Sequence, residues 1–361
     1  MTAFVDAAVA ALTDSAVKAE RGQRVRPRIG KLLKALAGKS KIIVTSHLHP
    51  DPDALGSAQA MAVLLTTLLP DVKIRVCLRG QVGGGLNAGF SRVSGLAYEC
   101  WDDQPIAEDE AIVLVDTQPG FANSPLPPGV LPTVVIDHHR GRGRRAKVAF
   151  ADIRINVGAT ASILFSYFLE AKVAFTPALA ATLLYAIESD LSGIAGTQGG
   201  LDTIAISSLV LLADTKRLYQ MRYVDLPPVY YAAFAETVQH AFTYDDLIVS
   251  HLEKADYAEM PGVMADFLLR CRGVSWTLVT ALHDGRFVFS VRTTSHDRSA
   301  GELARRISDG LGDGGGHLTK AGGAIPLKTG TAREIAAVRT RLERRLLRCL
   351  EIPPSHKSKL A

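Results

Sequence analysis

Short β-branched runs alternate with helical patterns through the first half of this 361-residue chain, and that alternation restricts the fold more than any other feature. Lys41-Ile42-Ile43-Val44-Thr45 leads through the polar loop SHLHPDPD into a helical pattern over about 55–69. Further strand-like runs fall at 73–78, 111–115 and 133–136, and helical patterns at 161–169 and 177–188. Short continuous apolar runs suit strands buried on both faces. Strands that alternate with helices build a parallel sheet with helices on its faces. Ahead of this pattern Ile29, Leu32, Leu33 and Leu36 recur at helical spacing, and Gly38 ends that helix.

The second half reads differently. Residues 201–241 are helical, with a break at Pro227-Pro228; strand-like runs then fall at 247–250, 276–282 and 286–291, the last two joined by an Asp284-Gly285 turn. Helical patterns at 261–270, 299–307 and 331–350 accompany them. The fold class expected is α/β: a parallel-sheet domain over 25–214, a helical connector over 215–243 and a smaller α/β domain over 244–350. Residues 1–24 form an extension, and the tail 351–361 is expected to fray.

Apolar residues make up 47% of the chain and charged residues 21%, the balance of a folded globular protein. No apolar run reaches the roughly 20 residues of a membrane span. The opening MTAFVDAAVAALTDSAVKAE is interrupted by Asp6 and Asp14 with no basic residue before it, so a cytoplasmic protein is expected. Cys77, Cys100, Cys271 and Cys349 lack CxxC spacing, which argues against a zinc cluster and a disulfide framework. Net charge is +5, and residues 1–40 and 333–361 each carry 8 basic and 3 acidic side chains. Such ends suit either a solvated helix face or a phosphate-polymer footprint.

The chemistry lies where the strands end. The first run is followed by His47, His49, Asp51 and Asp53; the run at 111–115 by Asp116; the run at 133–136 by Asp137, His138 and His139; and the helix at 177–188 leads to Asp190. Ligands of open α/β sheets bind beyond the carboxyl ends of the strands. Gathering so many acids there is costly without cations. Carboxylate and imidazole without thiolate suit Mn²⁺ or Mg²⁺, with Fe²⁺, Co²⁺ or Zn²⁺ as alternatives. The donors suffice for two ions sharing a bridging carboxylate, an arrangement used for in-line attack on phosphorus.

SHLHPDPDALGS, the IVLVDT around Asp116, the VIDHH of 135–139 and the ESD ending at Asp190 resemble, in order and spacing, the four motifs of the DHH phosphoesterases. Ser290-Val291-Arg292, Gly314-Gly315-Gly316-His317 and Ala321-Gly322-Gly323 resemble the DHH-associated C-terminal domain of oligoribonucleases and RecJ-type exonucleases. The resemblance implies two Mn²⁺ ions: His47 and Asp51 on one, Asp53, His138 and Asp190 on the other, Asp116 bridging. It implies that Asp137 orients a metal-facing histidine and that His139 faces the scissile phosphate. Arg292, Gly314, Gly315, Gly316 and His317 would bind the substrate, the glycines by close backbone approach.

The implied activity is hydrolysis of short RNA or dinucleotides to 5′-mononucleotides, with cyclic dinucleotides and 3′-phosphoadenosine 5′-phosphate as alternatives and inorganic pyrophosphate ranked low. A non-catalytic nucleotide or RNA binder is the competing class. No membrane partner is expected, and a homodimer is left open. Two departures stand out: Pro52 inside the first motif, and Leu191-Ser192-Gly193-Ile194 where the family's oligoribonucleases carry an aromatic. Gly83-Gly84-Gly85 lacks the GK[ST] of a Walker loop, and the loop from Arg140 to Arg145 is open to phosphate contact.

Overall fold

The computed structural model describes residues 28–101, 107–127, 129–141, 148–191, 199–295 and 297–361. The extension 1–24, the arginines at 142, 144 and 145, the segment Ser192-Gly193-Ile194 and His296 lie outside the described residues. The chain divides into two compact units, the first reaching Val224 and the second comprising Gly83–Gly85 and Asp225–Ala361.

In the first unit, helix α1 (Arg28–Ala35) precedes β1 (Lys41–Thr45), α2 (Pro52–Leu68), β2 (Lys73–Leu78), α3 (Leu86–Ser94), β3 (Glu99–Cys100), β4 (Glu110–Val115), β5 (Val134–Asp137) and β6 (Phe150–Ile153). Helices α4 (Thr160–Ala171), α5 (Pro177–Asp190), α6 (Gly200–Leu212) and α7 (Thr215–Arg222) follow. The six strands are parallel in the order β3-β2-β1-β4-β5-β6. That is the doubly wound order, whose direction of progression reverses between β1 and β4. Ile42, Val44, Val113, Val115, Val134 and Ile136 are fully buried, joined by Leu55, Leu64 and Phe165 from the helices. These strands read as continuous apolar runs because helices cover both sheet faces.

Several sequence expectations shift here. Helix α2 begins at Pro52, not near residue 55, with Asp51 as its N-cap accepting from Ala54 N at 3.1 Å. Proline fits the first helical position because that N–H has no partner in a helix anyway, so Pro52 is accommodated. The helical stretch after residue 201 breaks at Asp214 as well as at the prolines, since the Asp214 carboxylate caps α7 by accepting from Lys216 N and Arg217 N. Helix α7 lies in the first unit and α8 (Pro228–Gln239) in the second.

The second unit continues with β7 (Phe242–Tyr244), β8 (Leu247–Lys254), α9 (Met260–Leu268), β9 (Trp276–His283), β10 (Arg286–Thr293), α10 (Ala300–Ser308), β11 (Asp313–Gly316), β12 (Lys320–Pro326), α11 (Ala332–Leu350) and β13 (Lys357–Lys359). Its seven-stranded sheet runs β11-β12-β10-β9-β8-β7-β13, antiparallel except for β8 with β9. Alternate strand residues face opposite sides. Leu247, Val249, Leu278 and Phe287 pack with α10 and α11, whereas Ile248, Leu252, Val279 and Ala281 pack with α8 and α9. The tail is not frayed: Lys357–Lys359 pair with β7, and the Lys357 ammonium lies 4.0 Å over the Phe242 ring.

Candidate metal centre

The chemistry gathers at the point where the first sheet reverses direction. Asp116 follows β4 directly, with a left-handed φ of 58°. Aspartate tolerates that region better than most residues, and its main-chain N–H donates to Ile136 O at 2.9 Å. Ser46, after β1, donates its hydroxyl to Val115 O at 2.8 Å, which ties the two strand ends together. Asp53 comes from the first turn of α2 and Asp190 from the last of α5.

Two triads result. His47 Nε2 stands 3.5 Å from Asp116 Oδ2 and 3.9 Å from Asp51 Oδ1. His138 Nε2 stands 3.4 Å from Asp116 Oδ1, 3.4 Å from Asp190 Oδ2 and 3.9 Å from Asp53 Oδ2. Asp116 thus turns one oxygen to each histidine. Most of these separations are long for hydrogen bonds, and they suit donors roughly 2.1 Å from a shared divalent ion. His47 and His138 each turn Nδ1 to a main-chain carbonyl, Leu48 O at 2.9 Å and Val157 O at 3.2 Å, which aims Nε2 at the carboxylates. The donor set of His47, Asp51 and Asp116 and that of Asp53, His138 and Asp190 could each hold an ion.

Burial shapes the electrostatics. Asp53, Asp116 and Asp137 are at most 3% exposed. Burial, then the charges of Asp116, Asp190 and Asp51, pushes the Asp53 carboxyl well above its ordinary range, and burial likewise raises Asp116. For His47 burial works downward, but Asp116 and Asp51 outweigh it and lift the imidazole to about 9. Cations bound among these groups would take the place of the protons they otherwise retain.

Asp137 serves His139 rather than His138. Its Oδ1 lies 2.7 Å from His139 Nδ1, and its Oδ2 accepts from Gln118 Nε2 at 2.7 Å. Burial opposes ionisation of both partners, yet the contact lowers the Asp137 carboxyl and lifts His139 to about 10. The ring of His139 stands against that of His138 at 4.3 Å between centroids.

Three participants escape sequence reading. Thr160 donates its hydroxyl to Asp116 Oδ1 at 2.8 Å and its N–H to Asp53 Oδ2 at 2.7 Å, while Ala161 N–H donates to Asp53 Oδ1 at 2.8 Å. The N-cap of α4 is Ala159, which has no capping side chain. Asp53 from α2 accepts those amide hydrogens instead, so one helix start orients two acids. In sequence Thr160 stands just before the helical pattern at 161–169, where a threonine reads as an ordinary helix cap, so nothing there marked it out. Gln118, which also donates to His139 O at 2.8 Å, carried no sequence signal.

In the second unit Gly314, Gly315 and Gly316 form β11, opposite Gly323, Gly322 and Ala321 of β12. A Cβ on Gly314 would stand 2.7 Å from Ala304 O, and one on Gly301 2.2 Å from Gly316 O, so missing side chains let α10 close on this strand. Gly315 alone of the three has open space where a Cβ would be. His317 follows, its N–H donating to Lys320 O at 2.7 Å. Arg292 donates Nε to Asp266 Oδ1 at 2.8 Å and Nη1 to Ser290, Val291 and Ala321, while Nη2 points at the space a Cβ on Gly262 would take.

A doubly wound parallel sheet with two histidine–carboxylate triads around one aspartate at its reversal point defines the class. Residues 41–187 match the DHH family, N-terminal domain. The protein MJ1633 of Methanocaldococcus jannaschii is 28% identical over 292 residues, which cover 80% of this chain and 59% of that relative. The chain thus spans less than two thirds of that relative's length. An exopolyphosphatase-related protein from Bacteroides fragilis shares the fold at a TM-score of 0.65 and 18% identity, over 90% of this chain and 98% of its own. RecJ from Thermus thermophilus, in complex with Mn²⁺, aligns at a TM-score of 0.47 and 15% identity, over 89% of this chain and 55% of its own. Among the described residues, no helix is long and apolar enough to cross a membrane.

Proposed function

We propose that this chain is a two-metal phosphoesterase that hydrolyses short oligoribonucleotides or dinucleotides to 5′-mononucleotides. One observation carries the reading: His47 and His138 lie on opposite oxygens of the buried Asp116, His47 with Asp51 beside it and His138 with Asp53 and Asp190. His47 and Asp51 would hold one Mn²⁺, Asp53, His138 and Asp190 the other, with Asp116 shared and Mg²⁺ as the alternative ion. Bound there, the two ions would supply an activated water and spread the charge that develops on the phosphoryl oxygens.

The protein's own groups do the rest. Asp137 and Gln118 fix the His139 ring, whose other nitrogen would then donate to a non-bridging phosphate oxygen. Thr160 and the start of α4 hold Asp53 and Asp116 against their mutual repulsion. His317, Gly315 and Arg292 would read the far end of the substrate, His317 and Arg292 through charge-assisted contacts.

The test is a substrate panel with purified protein and Mn²⁺: labelled dinucleotides, longer RNA, single-stranded DNA, cyclic dinucleotides, 3′-phosphoadenosine 5′-phosphate, pyrophosphate and inorganic polyphosphate. Metal-dependent mononucleotide release from dinucleotides, faster than any other turnover, is expected. Turnover of pyrophosphate or polyphosphate alone would replace the phosphoester reading with a phosphoanhydride one.

A further inference from the structure

Helix α11 buries Leu342, Leu346 and Leu347 in the second unit's core. Arg333, Arg341, Arg344 and Arg348 lie on its outer side, all exposed. At roughly 100° per residue they fall within an arc of about 80°, and Arg341, Arg344 and Arg348 rise by about 4.5 and then about 6 Å along the axis. None of these four guanidinium groups has a hydrogen bond or ion pair among the described residues. Neighbouring arginines are differently placed: Arg345 donates to Ile307 O and Asp309 O, and Arg298 to Cys349 O, with Glu351 at 3.5 Å.

The acids of the helix do not offset this stripe. Glu334 is folded back on the N–H groups of Lys328, Thr329 and Gly330. Glu343 faces Tyr244, His251 and Lys357 on the other side. Like charges three and four residues apart destabilise a helix, so a polyanion laid along the stripe would relieve a repulsion built into α11. No large apolar side chain of α11 is exposed, and a helix that enters a bilayer surface needs such a face.

We propose that α11 grips the phosphodiester backbone of a single-stranded polynucleotide through Arg333, Arg341, Arg344 and Arg348, each fork taking phosphate oxygens. This rests on the phosphoesterase reading only in taking that strand to be substrate, and it extends the substrate class beyond dinucleotides. RNA and DNA share the backbone chemistry, so both are probed.

The experiment measures binding of labelled single-stranded RNA and DNA of about 20 nucleotides to the full chain in EDTA across a potassium chloride series, for wild type and R341Q/R344Q/R348Q. Each phosphate neutralised on a single strand contributes about −0.7 to the slope of log K against log salt, so losing three contacts should flatten it by about 2. The triple lysine variant, which keeps the charge, should retain the wild-type slope. With Mn²⁺, the triple glutamine variant should lose about tenfold in kcat/KM on the long strand and nothing on a dinucleotide. An unchanged slope overturns the proposal, as does equal competition by inorganic polyphosphate or by vesicles of anionic lipid. If the wild type cleaves nothing and the slope still flattens, the phosphoesterase reading fails and the stripe stands. Cleavage of RNA with an unaltered slope gives the reverse.

Discussion

In the first unit all six strands run one way, so their carboxyl ends open on one edge, and charged groups meet there from four stretches of chain. In the second unit neighbouring strands mostly run in opposite directions, and its marked residues belong to one β-hairpin and one strand beside it. The parallel sheet concentrates carboxylates, at a desolvation cost that histidines and helix-start amides offset in part. Among the described residues the mixed sheet gathers no such cluster of carboxylates, and of its glycines Gly314, Gly316, Gly322 and Gly323 allow close packing. On the proposed function one unit would carry the reaction and the other recognition, and each of the following measurements would break or sharpen that contrast.

The largest effect is expected from Asp116→Ala. Removing the carboxylate that faces both histidines should cut kcat by more than about 10³-fold while leaving substrate binding measurable. Full activity would end the two-metal reading. Next comes Thr160→Val, which deletes the hydroxyl bond to Asp116 and keeps the backbone bond to Asp53. Affinity for Mn²⁺ by calorimetry should fall by about 10–100-fold, and Thr160→Ser should restore it. Equal loss in both variants would make Thr160 a packing residue only.

His317→Ala probes the second unit. KM for dinucleotides should rise by about tenfold, the size of one charge-assisted hydrogen bond, with a generic phosphodiester little affected. Equal changes on both would remove the division of labour between the units. The smallest effect concerns Glu343, where burial raises the carboxyl but His251, Tyr244 and Lys357 prevail and hold it at about 2. A depressed carboxyl stabilises the fold above its unfolded value of about 4.3 and loses that contribution as pH falls toward 2. Glu343→Gln should therefore flatten acid unfolding of the wild type over that window; an unchanged acid limb would show that the cluster adds nothing to stability.

How far this was legible in sequence follows from how each element is made. Strands β1, β4 and β5 stand out because both faces are buried, which demands nearly unbroken apolar runs. Strand β12, Lys-Ala-Gly-Gly-Ala-Ile-Pro, does not, since its glycines answer to Phe289 of β10 and Asp313 of β11 rather than to strand propensity. Two-residue β3 carries no periodicity at all. The acids and histidines of the site were visible because they follow strands directly. Thr160 and Gln118 were not, for their roles are set by contacts with side chains distant in the chain. Pro52 read as a departure in a loop until the helix was seen to start on it.

The left-handed backbone at Asp116 and the spread of its companions along the chain carry a thermodynamic consequence. Short peptides cut from this protein would lack the affinity, because the donors converge only when β1, β4, β5 and α5 have all docked. Ion uptake would then report completed assembly of the first unit, and free ion at 100 times its dissociation constant would hold that unit folded by about 2.7 kcal/mol. Midpoints of thermal unfolding should climb with manganese concentration, which makes the melting curve itself a gauge of occupancy.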